Sequence, residues 1–100
     1  MPTGYQIMWV GWNSQGNHDK IWGWLKMADG RIYAFWGRRG KKLRFKQHDR
    51  EWDVRLKVDE KRFKKGYDMV LPSRYDELVK DFLDEVEIWC TTAILADEVM

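Results

Sequence analysis

The sequence predicts an α+β domain: a twisted antiparallel sheet with one helix packed across it and an additional acidic helix at the C-terminus. Three observations lead there. Two alternating runs, Lys20–Met27 and Arg31–Trp36, flank an Asp29-Gly30 turn, a strong hairpin signal expected to be of type I′. A helical pattern bounded by Asp49 and Gly66 follows them. A second helical pattern then carries Tyr75, Leu78, Val79, Phe82, Val86 and Trp89 on one stripe. One hundred residues suit a single domain with its own core, and 44% apolar with 34% charged residues is a globular balance.

The expected elements run as follows. Residues 1–17 are rich in turn formers (Gly4, Gly11, Asn13, Ser14, Gly16, Asn17), so residues 1–16 are read as an N-terminal extension. Met8, Trp9, Val10 and Trp12 could form a short strand there or pack over the sheet. In Lys20–Met27, Trp22, Trp24 and Lys26 share one face; Ile21, Gly23, Leu25 and Met27 share the other. In Arg31–Trp36, Ile32, Ala34 and Trp36 oppose Tyr33 and Phe35. Residues 37–40 break the pattern, and a third strand, Lys41–Gln47, sets Leu43 and Phe45 against Lys42, Arg44 and Lys46. That cationic face belongs to solvent or to an anion, not to a dry core.

Asp49 is the expected N-cap of a helix over Arg50–Lys65. Trp52, Leu56 and Phe63 are its expected inner stripe, with Val54 and Val58 beside them. Gly66 stops it, and Tyr67–Leu71 is a short strand ended by Pro72. Ser73 with Asp76 resembles a capping box opening the C-terminal helix, and Ile88–Leu95 could continue it or turn into a strand.

Charge divides the chain. Residues 1–72 hold sixteen Lys/Arg against eight Asp/Glu, and residues 73–100 hold two against eight. The basic density peaks between Trp36 and Gln47, where six cations, two glycines and two aromatics stand without a carboxylate. Cations attract phosphate regardless of base sequence, and flat aromatics accept a base or sugar by stacking. Trp36, Gly37, Arg38, Arg39, Lys41, Lys42, Arg44 and Lys46 are therefore the candidate nucleic-acid-binding residues. A solvated turn at Arg38–Arg39 and an aggregation-blocking sheet edge at the lysines are the plain alternatives. Lys61, Arg62, Lys64 and Lys65 are read first as complementing the helix dipole, Tyr67 as packing under the helix end, His18 and His48 as isolated surface residues, and Cys90 as a small buried apolar residue.

Other chemistry finds no support. Ser14 and Ser73 have no histidine in a recognisable arrangement. Glycines 37 and 40 precede no Lys-Ser/Thr of a phosphate-cradling loop. One cysteine and two separated histidines do not converge as metal ligands. No enzyme activity, cofactor or metal is expected. Neither a basic leader nor an apolar membrane-length run is visible, so no membrane partner and a cytoplasmic setting are the defaults.

The landmarks resemble the WGR domain family. Asn17-His18-Asp19-Lys20-Ile21-Trp22 looks like the family's opening Asn-x-x-Lys and aromatic strand, and Asp29-Gly30 sits at its first hairpin. Trp36-Gly37-Arg38-Arg39-Gly40 is similar to its name-giving motif, and Lys64-Lys65-Gly66-Tyr67 to the Lys-Gly-Tyr that closes its helix. The resemblance spans about residues 17–71, leaving 72–100 as an acidic amphipathic helix packed on the same domain. It implies a sheet with a helix across it and contact with DNA near strand breaks, Trp36 lying against a sugar and Arg38 joining the contacts. Arg39 stands where the family is usually apolar, and Lys42, Leu43 and Arg44 stand where it often has a glycine and a glutamine. The expected function is binding of DNA ends, nicks or single strands, DNA ahead of RNA, with weak sequence specificity. The alternative is a protein-interaction or homodimerisation module that docks an acidic or basic partner, as monomer or homodimer.

Overall fold

The computed structural model describes residues 4–14, 19–38 and 41–99, with side chains as far as residue 92. The architecture is α+β. Strands β1 (Tyr5–Asn13), β2 (Lys20–Met27), β3 (Ile32–Arg38) and β4 (Arg44–His48) form an antiparallel meander. Helix α1 (Glu51–Asp59) continues as a π-helical turn over Glu60–Lys64, and strand β5 (Asp68–Met69) returns to pair with β1. The sheet order is β4-β3-β2-β1-β5, so α1 carries the chain from one sheet edge to the other. A 3₁₀ turn (Pro72–Arg74) leads into the short α2 (Tyr75–Leu78) and the long α3 (Lys80–Val99).

Strand β2 is the centre. Ile21 to Leu25 are all buried, because both faces of the sheet are covered. On one face Ile21, Leu25, Val10 and Phe35 form a core with Val79, Phe82, Val86 and Cys90 from the C-terminal helices. Trp89 of α3 stacks on Phe45 at 4.1 Å and 4°, and meets Tyr33 edge-on at 4.8 Å. On the other face Trp22, Trp24, Ile32 and Ala34 pack with Val54 of α1 and Tyr67, bordered by Trp9, Trp36 and Val58. The alternation read from the sequence in β2 and β3 is the observed division between these two cores. Gly23 sits where the sheet leaves no room: a Cβ there would lie 2.5 Å from the Phe35 ring and 2.6 Å from the Trp9 carbonyl oxygen.

Several expectations are corrected. Tyr5–Asn13 is a full strand between β2 and β5, not an extension ahead of the domain. Its turn formers are used within the sheet, Gly11 lying under the Trp9 indole and Asn13 donating from Nδ2 to the Lys65 carbonyl at 2.9 Å. The β2–β3 connection is not type I′, since among the described residues only glycines have positive φ. Gly30 donates to the Met27 carbonyl with φ 97°, and Met27 N–H closes on the Arg31 carbonyl at 2.7 Å. That is a type I turn with a glycine bulge. Asp29 secures it by accepting from both Arg31 N–H and Nε. The third expected strand begins at Arg44 instead of Lys41.

Helix α1 starts after Arg50 without a side-chain cap, so Asp49 does not fill that role; Glu51 and Asp53 supply negative charge to the first turn instead. Nor is there a side-chain cap where Ser73 and Asp76 suggested one. The expected single helix from Ser73 is interrupted at Val79, whose φ −134° and ψ 21° are not helical. Beyond it the run through Leu95 stays helical.

The largest correction is the orientation of α1. Val54 is buried and Val58 partly so, whereas Trp52, Leu56 and Phe63 are 65%, 50% and 73% exposed. The sheet face beneath is already paved with indoles, and only small branched side chains fit between helix and sheet at close-packed density. Val54→Ala should therefore cost about 2 kcal/mol and lower Tm by roughly 10 °C. Trp52→Ala should stay within about 0.5 kcal/mol. Thermal unfolding of the two variants checks the orientation directly.

Burial pushes the Cys90 thiol from its ordinary 9.0 up to about 12. It does the same to the Tyr5 phenol, from 10.0 to about 12, with smaller contributions from Cys90 and Glu87. The unfolded chain gives up these protons first, so the stabilisation is whole below pH 9 and is lost as pH rises toward 12. Lys61, whose ammonium is pushed down by burial, works in the opposite sense as a single smaller contributor. The net expectation is a stability that declines above pH 9, measurable by denaturant titrations across the alkaline range. Cys90 should stay unreactive toward thiol reagents until the protein unfolds.

Candidate nucleic-acid interface

The indole-paved face is not wholly covered by α1. Between α1, β3 and β4 it opens into a cleft of about 880 Å³. Its floor is Trp22, Ala34 and Trp36, closed at one end by Tyr67. Antiparallel register builds the floor and one rim together: Trp36 lies between Trp22 and Arg44, Ala34 beside Lys46, and Arg38 beside Lys20. The odd–even alternation that sends Leu43 and Phe45 into the opposite core sends Arg44 and Lys46 into the cleft.

Of the expected site residues, Trp36, Gly37, Arg38, Lys41, Lys42, Arg44 and Lys46 all line this one cleft. Arg39 and Gly40 lie outside the described residues, as do Asn17 and His18. Trp36 is half-buried, one part of the ring packed against the indole core and the rest open to the cleft. Gly37 is crowded, because a Cβ would fall 2.9 Å from Leu43 Cδ2, and so it lets the loop into β4 close over β3. That loop is held from the far side of the sheet: Leu43 is buried, and its N–H donates to Glu85 Oε1 of α3 at 3.1 Å.

Four further residues complete the cleft. Lys57 and Lys61 reach it from the helix, Lys20 from the start of β2, and His48 from the end of β4. The sequence reading placed Lys61 at the helix dipole and His48 alone on the surface; both line the cleft, while Arg62, Lys64 and Lys65 do not. The missed signal was helical spacing. Lys57 and Lys61 flank Val58 and follow Val54 by three and seven positions, so they share the helix side that meets the sheet. Taking Trp52 and Leu56 as the inner stripe turned them outward.

Among the described residues no carboxylate lines the cleft, whereas eight Lys or Arg residues do. Among the described residues Lys20, Lys41, Lys42, Arg44, Lys46, Lys57 and Lys61 make no ion pair; Glu51 and Asp53 of α1 pair instead with Lys26, Arg55 and Arg50. The field registers on its members. Lys61 is held below its ordinary basicity by burial, and then by Lys57, Lys65 and Lys20, against the pull of Glu60. Its ammonium rests 5.7 Å from the centre of the Tyr67 ring. Burial, then Lys46 and Lys57, also lower the basicity of His48, with Asp53 and Asp49 opposing. Such a site concentrates anions.

Among the described residues no group of three His, Cys, Asp or Glu could hold a metal ion, and no helix is long and apolar enough to cross a membrane. No family model, no curated protein and no solved structure matches the chain.

Proposed function

We propose that the protein is a nucleic-acid-binding module that grips phosphates with the cations of the cleft and stacks a base or sugar on Trp36. The observation that carries this reading is that, among the described residues, eight cations and no carboxylate converge around one aromatic-floored opening. An ordinary charged edge would intersperse signs and would present no concave aromatic surface. The resemblance to the WGR domain in Trp36-Gly37-Arg38 points the same way, since that family uses this motif on DNA. The cleft carries no protruding recognition helix, so base-sequence specificity is weak. Catalysis is not part of the proposal.

If about five cations meet phosphates, log affinity should fall against log salt with a slope of about −3.5 on single strands and about −4.5 on duplex. A flat salt dependence in fluorescence-anisotropy titrations would sink the mechanism. Trp36→Ala should weaken binding by roughly 1–3 kcal/mol while leaving the circular dichroism spectrum unchanged.

The outward stripe of Trp52, Leu56 and Phe63 favours a second reading, a protein-docking or homodimerisation surface. Large apolar side chains aligned on one exposed helix side mark interaction sites more often than chance exposure does. If the stripe pairs two copies, light scattering should give a dimeric mass that Trp52→Ser with Leu56→Ser returns to monomer. A monomeric parent at high concentration would remove homodimerisation.

A further inference from the structure

The cleft has two basic walls that face each other, and this narrows its ligand. Lys20 of β2 and Arg44 and Lys46 of β4 line it from the sheet, and Lys57 and Lys61 line the same opening from the helical segment that packs over that sheet face through Val54. The Lys61 ammonium lies over the Tyr67 ring, 5.7 Å from its centre. The opening is thus bordered by cations from the sheet and by cations from the helix. Cations on a flat or convex face can be met by the outside of a duplex. Cations on opposed walls can be met together only by something that passes between them.

Resting on the nucleic-acid reading above, we propose that the ligand is a single strand threaded between α1 and β4, with duplex excluded from the cleft. The backbone of a single strand is thin enough to bring phosphates within reach of both walls. Its bases are unstacked, so one can turn a face onto the half-buried Trp36 at the floor. In a duplex every base face except the outer faces of the two terminal pairs is already stacked, and the two strands hold their phosphates apart across grooves about 6 and 12 Å wide. Such a rod reaches only the outer cations of β4 and its preceding loop, never Lys57, Lys61 or the indole. The volume of about 880 Å³ lies within the range of sites that enclose a small ligand, which suits a few nucleotides and not a helical turn of duplex.

The test compares oligothymidylate with an oligothymidylate–oligoadenylate duplex of equal length at one salt concentration. The single strand should bind at least about tenfold more tightly, because it alone gains the stack and the second wall. Lys57→Gln together with Lys61→Gln should erase that preference by weakening the single strand and leaving the duplex within about twofold. Lys57 is exposed, so Lys57→Gln alone serves as the fold-neutral control and should remove part of the preference. Equal or tighter binding of the duplex, or an unchanged preference in the double variant, overturns threading while leaving nucleic-acid binding intact. Binding of neither probe removes the nucleic-acid reading itself and this inference with it.

Discussion

Strand β2 is dry on both sides, and the rest of the molecule follows from that. A sheet strand with apolar residues on only one face needs a single covering layer. Here Ile21 and Leu25 demand cover on one side while Trp22 and Trp24 demand it on the other. Two helical layers are the consequence. α3 answers the first demand with Phe82, Val86 and Cys90, locked by the Trp89–Phe45 stack. α1 answers the second, and answers it incompletely. Where α1 stops covering, the indole face remains open as the floor of the cleft.

The two layers are coupled through the sheet. Glu85 on α3 accepts from Leu43 N–H, so a carboxylate of the acidic C-terminal segment fixes the backbone of the basic loop on the opposite core's border. The acidic and basic parts therefore meet at a defined hydrogen bond on the sheet face opposite the cleft. The packing of α3 on that face lets a chain of net charge +2 present a cleft with no carboxylate among its described lining residues. Lys61 is held below its ordinary basicity first by burial, with Lys57, Lys65 and Lys20 adding to it against the pull of Glu60.

Much was legible beforehand where a single residue type decided the outcome. Alternation in Lys20–Met27 and Arg31–Trp36 assigned each side chain to its core because the period of two leaves no third choice. Gly66 stopped its helix because a left-handed φ, here 75°, suits glycine. Trp36, Gly37, Arg38, Arg44 and Lys46 were marked by local composition alone, and the fold brings them to one cleft. What failed were choices settled by competition. Gly4, Gly11 and Asn13 suggested loops, yet pairing on both sides of β1 outweighed local preference. Trp52 and Leu56 suggested a buried stripe, yet the volume already filled by four indoles gave the inner side of α1 to valines.

The sequence by itself determined the α+β class, the pairing faces of the central strands and one basic wall of the cleft, because these depend on periods and charges between near neighbours. Only the tertiary structure decided that a second wall exists. Lys57 and Lys61 gain their role from the rotation of α1 about its own axis, and that rotation is set by packing volume against a sheet assembled from distant segments. No local pattern carries that volume, which is why the cleft had one side in the sequence and two in the fold.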